Sequence, residues 1–270
     1  MKKIILYVLI PVVIVGLILG FFWWNKNGKN GSNSDQSLNN VKKAGKLVIG
    51  NNYPYGVMEF YDKDGKPAGI DIDLGREIAS RLGVEAEFKE FDWQDLFTLI
   101  ENKEVDLVMS ALTITEERSK KALFSSPYFN GGQVIVTRTD NKDINIPDDL
   151  KNRKIGTQID TTSQYAAQKL SSDNLITLYD SWESSEEKGE IVYDLKAGKF
   201  DAVIVDYIQA LESIKKDSEI KIIGEPFTQE YYGIATNLNN NALMQAVDAA
   251  LRDIKREGIL KNIEDKWTKS

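Results

Sequence analysis

The chain has 270 residues, a formal net charge of −7, 42% hydrophobic and 28% charged residues, and neither cysteine nor histidine. That length suffices for one large or two smaller α/β units with sizeable cores. The acidic balance, with no strip of interleaved lysines and aromatics, excludes nucleic acid as a partner. Without cysteine or histidine there are no disulfides, no thiolate chemistry, no usual zinc site and no Ser-His-Asp or Cys-His catalysis, and no cofactor or metal is expected.

Lys2 and Lys3 precede an uncharged stretch over 4–24, broken only by Pro11, Gly16 and Gly20. As a helix it would span about 31 Å, close to the thickness of a bilayer's hydrocarbon core. A cleaved signal peptide would have a shorter apolar core and a small-residue exit, whereas this one leaves through Phe21, Phe22, Trp23 and Trp24. The expectation is an uncleaved membrane anchor over 1–24 with the bulk of the chain outside the cell, secreted or periplasmic if cleavage occurs. Residues 25–40, rich in Asn, Gly and Ser, read as a flexible linker reaching on the order of 20 Å.

From Lys46 onward short β-branched runs alternate with amphipathic helical patterns, the mark of an α/β domain. A strand is predicted over 46–50, a helix over 73–82 with Leu74, Ile78, Ala79 and Leu82 on one face, and a strand over 88–91. A helix over 93–102 leads into a strand over 105–109. Then come an extended segment over 133–137, helices over 162–170 and 191–197, a strand over 202–205 and a long helix over 242–255.

The segment 107–129 carries the most chemistry. An apolar run empties into Ser110, Ala111 and Thr113, and Arg118 follows Thr115 by three residues. Small hydroxyl residues at a strand's end, with an arginine just beyond, supply the forked donors that a carboxylate needs. Taken alone, the same residues read as a helix N-terminus capped by Thr115, with Arg118 on a solvated face. An internal echo widens the choice. LFTLIENKEVDLVMS and IVYDLKAGKFDAVIV each pass through a helix, a lysine and an aspartate (Asp106, Asp201) into an apolar strand. Two similar lobes would each end a strand at a common cleft, with Ser110 to Arg118 after one and Asp206 ending the other. An arginine for a carboxylate and an aspartate for an ammonium would then make a receptor for a free α-amino acid.

Four segments, in order, resemble the extracytoplasmic solute-binding proteins of polar amino-acid ABC transporters. They are GIDIDLGREIA from Gly69, TITEER from Thr113 with FSSPYF from Phe124, GTQIDTT from Gly156, and FDAVIVD from Phe200. The resemblance implies a two-lobed periplasmic-binding-protein fold of the second type, each lobe a mixed sheet flanked by helices. Lobe 1 would take residues 41–129 and 227–270, lobe 2 residues 134–223, and the lobes would close on a ligand by hinge motion. By position, Arg118 would pair with the α-carboxylate, helped by the Thr113 hydroxyl and the backbone near Ala111 and Thr162. Thr162 opens a helix whose free N–H groups suit an anion. Asp206 would take the α-ammonium, Tyr55 and Trp93 would sandwich the side chain, and Ser110 and Gln158 would complete the lining.

Asn52 lies where relatives that bind cationic or amide side chains often carry aspartate, and an amide cannot neutralise a buried cation. This favours a neutral polar ligand such as glutamine. Asp160, where relatives commonly have glycine, would either cap the following helix or add negative charge that favours arginine or lysine. The expected function is binding, not catalysis: a monomer that captures an L-amino acid and delivers it to an ABC permease. A cyclohexadienyl-dehydratase-like enzyme on the same fold is the alternative.

Overall fold

Parallel strands wound between helices fix the architecture, seen in a computed structural model that describes residues 35–180 and 191–269. The first sheet is built from β1 (Lys46–Asn51), β4 (Glu85–Glu90), β5 (Leu107–Val108) and β6 (Leu123–Phe124), with β2 (Phe60–Tyr61) and β3 (Pro67–Ala68) forming a small hairpin beside it. β7 (Phe129–Gly131) leads out to the second sheet, made of β8 (Gln133–Arg138), β9 (Ile155–Gln158), β10 (Ile176–Tyr179), β11 (Ala202–Asp206) and β12 (Ile220–Ile223). β13 (Glu230–Tyr232) returns, and β14 (Ala235–Thr236) inserts between β5 and β6.

The two sheets share one plan. The first runs β4-β1-β5-β14-β6 and the second β10-β9-β11-β8-β12. In each, three parallel strands are followed by antiparallel ones. The echoed aspartates do the same job in both. Asp106 accepts a hydrogen bond from the backbone N–H of Val48 at 2.8 Å, and Asp201 one from that of Lys154 at 2.9 Å. Each side chain locks the start of its strand to the neighbouring parallel strand.

Strands buried on both faces need apolar residues at successive positions. In β1, Leu47 and Ile49 pack against helices Ile70–Leu82 and Asn241–Arg256, while Val48 faces Phe91, Leu96 and Ile100. In lobe 2, Val134, Val136, Val203 and Val205 pack on Leu195 and Phe200, and Ile135, Ile155 and Ile204 pack on Ala166 and Ala167. The helix Asn241–Arg256 buries Leu243, Met244, Val247, Leu251 and Ile254 along one stripe, the spacing of an amphipathic helix.

The Gly69 segment has a backbone reason. Gly69 has φ 124°, and a Cβ there would lie 2.3 Å from the carbonyl oxygen of Met58. At Gly75 a Cβ would meet the Ile49 side chain at 2.9 Å, so the helix settles directly onto β1. The helix consequently begins at Ile70, three residues before the expected start, with Ile70, Asp71 and Ile72 all buried.

Other boundaries differ as well. Helix Ser37–Ala44 takes the last residues expected to be linker: Val41 is buried, and the Ser37 hydroxyl accepts from the Leu243 N–H at 3.1 Å. The expected helix over 93–102 divides into a 3-10 turn, Trp93–Asp95, and a helix, Leu96–Glu101. The expected anchor over 1–24 and most of the linker lie outside the described residues. Among the described residues, no helix is long and apolar enough to cross a membrane.

β7 and β13 pair antiparallel, Glu230 opposite Gly131 and Tyr232 opposite Phe129, and the Phe129 and Tyr232 rings stack 5.7 Å apart. This ribbon carries both passages of the chain between the sheets.

Candidate functional site

The carboxyl ends of β1, β5, β9 and β11 converge on one cleft. It encloses about 350 Å³ of space, part of it open to solvent. Asn52, Tyr55, Trp93, Ser110, Ala111, Thr113, Arg118, Gln158, Thr162 and Asp206 all line it, together with Thr161. All ten residues expected at a site are thus brought together.

Arg118 belongs to both readings of its segment. Thr115 caps the short helix Glu116–Ser119 by accepting from the Arg118 N–H at 3.1 Å. Yet the guanidinium is buried rather than solvated. It donates to the Thr113 carbonyl at 3.0 Å and, across the cleft, to the Asp160 carbonyl at 3.3 Å. Burial pulls its pKa down, and the charges of Asp206 and Glu230 oppose that. The Trp93 ring lies under it, 5.3 Å from guanidinium carbon to centroid.

Asp206 ends β11 and is also buried. Gln133 Nε2 donates to one carboxylate oxygen at 2.6 Å, and the Tyr55 hydroxyl donates to the other. Burial, then the nearby charge of Glu230, pushes the Asp206 carboxyl up to about 7. Tyr55, expected to cover a ligand side chain, therefore has its polar tip committed to the Asp206 end of the cleft.

Two donors assigned to a carboxylate are engaged elsewhere. The Ala111 N–H, on a residue with φ 45°, donates to Asp71 at 2.8 Å. The Thr113 hydroxyl donates to Glu230 at 2.8 Å. The Thr162 backbone N–H fares better, because Thr162 is the first residue of helix Thr162–Leu170 and its N–H has no partner within the helix. The cap of that helix is Thr161, not Asp160: Thr161 accepts from the Gln164 N–H at 3.3 Å. Asp160 sits at φ 60°, the left-handed region that favours glycine, and its exposed side chain neither caps nor enters the lining.

At the far end, Asn52 Nδ2 donates to the Phe91 carbonyl at 2.8 Å and Gln158 Nε2 to the Asp180 carbonyl at 3.2 Å. Ser110 belongs to a buried layer beneath the cleft, where its hydroxyl donates to Glu59. Asn51 Nδ2 donates to the same carboxylate at 2.6 Å. Burial, with the charge of Asp71 behind it, holds the Glu59 carboxyl well above the usual carboxylate range.

Sequence reading missed Thr161, Gln133 and Glu230. Only Thr161 left a local trace, since Thr161 followed by Gln164 has the spacing of a capping box. The other two reach the site through partners far along the chain, Asp206 for Gln133 and Thr113 for Glu230.

The chain's residues 47–270 match the model of the bacterial extracellular solute-binding proteins, family 3. The chain belongs to that family. Among relatives within it, the L-cystine-binding protein TcyJ of Escherichia coli K12 is 32% identical over 85% of each chain. The glutamine-binding protein GlnH of Bacillus subtilis 168, from an ABC transporter, is 29% identical over 100% of this chain and 98% of its own. A solved structure of an ancestral arginine-binding protein bound to glutamine superposes with a TM-score of 0.76 at 36% identity, covering 84% of this chain and 99% of that one. The two-lobed α/β architecture of family 3 is thus the architecture of this chain. The family and these relatives support extracytoplasmic binding of amino acids for transport.

Proposed function

We propose that this cleft binds a free L-amino acid with an uncharged polar side chain, glutamine being the best fit, for delivery to an ABC permease. The observation that carries the proposal is the pairing of buried Arg118 on one lobe with buried Asp206 on the other, both lining one cleft. A zwitterion satisfies both charges at once, which no single-charged ligand does. In this reading Arg118 and the Thr162 N–H hold the carboxylate, and Asp206 takes the ammonium. The lining supports a neutral side chain, because among the described residues Asp206 is its only acid and Asn52 and Gln158 offer amides at the other end. A cationic amino acid is the second reading, favoured by the likeness to an ancestral arginine-binding protein that has also been solved with arginine bound. The segment 4–24 would keep the protein tethered outside the cell, working as a monomer.

A thermal-shift screen of the full-length chain against the common amino acids and cystine tests the proposal, since a ligand bound only by the folded state raises the melting point. Glutamine is expected to give the largest shift, and Arg118→Ala to abolish it with little change in the unliganded melting point. A larger shift with arginine would transfer the assignment to the second reading. No shift with any amino acid would sink both.

A further inference from the structure

Glu230 lies on β13, in the ribbon between the lobes, and is buried. Its Oε2 accepts the hydroxyl hydrogen of Thr113 from lobe 1 at 2.8 Å and that of Thr162 from lobe 2, also at 2.8 Å. On the other side, Oε1 accepts from the Thr228 hydroxyl at 3.1 Å, and that hydroxyl in turn accepts from the Gln133 N–H at 2.8 Å. The carboxylate is thus aimed from the hinge, and one oxygen joins the two halves of the site.

We propose that Glu230 is a positioning residue, a hinge-borne latch that holds the lobes together through Thr113 and Thr162 and sets the polarity of the cleft. Opening the lobes draws the two threonines apart, so at least one of these bonds must break. Both are bonds to a charged acceptor, the stronger kind. The polarity follows from hydrogen counting. A threonine hydroxyl has a single hydrogen to donate. With both given to Glu230, these hydroxyls face the cleft as acceptors only. A ligand carboxylate is then left to Arg118 and backbone N–H groups, while the hydroxyl lone pairs suit an ammonium. This part rests on the amino-acid reading above; the latch itself does not.

The chain has no cysteine of its own, so two introduced ones can be labelled cleanly. Spin labels at Asp95→Cys and Thr177→Cys, one exposed site on each lobe, report the interlobe distance in the full-length protein in detergent. Without added amino acid, the otherwise wild-type protein is expected to show a closed population, and Glu230→Ala to lower its closed-to-open ratio at least tenfold. Glu230→Gln keeps an oxygen that can accept both hydroxyls, and should retain most of that population. Thr162→Val, which removes one arm from the opposite lobe, should shift the ratio as Glu230→Ala does. An unchanged distance distribution in Glu230→Ala, a Glu230→Gln as open as the alanine variant, or no closed wild-type population would each overturn the latch. Repeating the measurement with L-glutamine, L-arginine and L-cystine separates the two proposals. A latch that responds to Glu230→Ala in a protein closed by none of the three, and shifted by no amino acid in the thermal screen, leaves the latch standing and sinks the amino-acid reading.

Discussion

Arg118 and Trp93 converge on a single acceptor, the backbone carbonyl of Asp160. The guanidinium donates to it at 3.3 Å and the indole Nε1 at 3.1 Å, while the ring stacks beneath the guanidinium. One carbonyl of lobe 2 therefore orients the cation of lobe 1 and the aromatic that supports it. Trp93→Ala should weaken amino-acid binding by about tenfold, the scale of a partly desolvated cation–π contact plus a hydrogen bond. Arg118→Lys should do worse despite keeping the charge, because an ammonium has neither the planar fork nor the stacking face. Titration calorimetry decides it: a lysine variant binding as tightly as wild type would refute the role given to the guanidinium's shape.

The Asp206 carboxyl, raised to about 7 by burial and the charge of Glu230, makes binding pH-dependent. Below that value the carboxyl is neutral and must release a proton before it can accept an ammonium. Affinity should therefore rise with pH, by up to about tenfold per unit, and level off above about 7. Asp206→Asn should bind weakly with a flat profile. Calorimetry in buffers of different ionisation enthalpy would count the proton released at about pH 6.

Asp71 has a similar shift with the same chief cause, burial, which pushes it from 3.8 to about 7 with the Ala111 N–H bond working against the rise. Below about pH 4 it is neutral folded or unfolded and contributes no pH dependence. Between about 4 and 7 the unfolded chain gives up the proton that the folded chain keeps, so stability falls as pH rises through that window. The ceiling is roughly 4 kcal/mol at about 1.4 kcal/mol per pKa unit. Asp71→Asn keeps an oxygen for the Ala111 N–H and should make the decline shallower, leaving the shares due to the other raised carboxyls, Glu59 and Asp206 foremost. Melting curves of both proteins at about pH 5 and pH 8 compare the slopes.

At Asp160 the backbone, not the carboxylate, is what the site uses. Asp160→Gly should change stability by less than about 0.5 kcal/mol and leave affinity intact. Asp160→Val should cost about 1–2 kcal/mol, since φ 60° is poorly suited to a β-branched residue. Loss of binding in the glycine variant would return a role to the side chain.

These residues also mark how far the sequence could be read. The strand Ala202–Asp206 was legible as an unbroken apolar run, and the helix Thr162–Leu170 by the helical spacing of its buried residues. β4 was harder: GluAlaGluPheLysGlu reads as polar, and its full length comes from pairing residue for residue with β1. The lining was legible because its members stand at strand ends and helix starts. The support beneath it was not. Glu230 meets Thr113 across a chain separation of 117 residues, and Gln133 meets Asp206 across 73. No local spacing records such a meeting.

The position of β14 has a consequence for the order in which the molecule can assemble. The sheet of lobe 2 draws only on β8 to β12, one unbroken run of chain, whereas that of lobe 1 has no link between β5 and β6 until Ala235–Thr236 has been made. A growing chain completes every strand of the second lobe while the first still has two unpaired edges. The lobe that begins first is the one that finishes last, and a chain cut short before Ala235 would carry a finished half joined to an unfinished one.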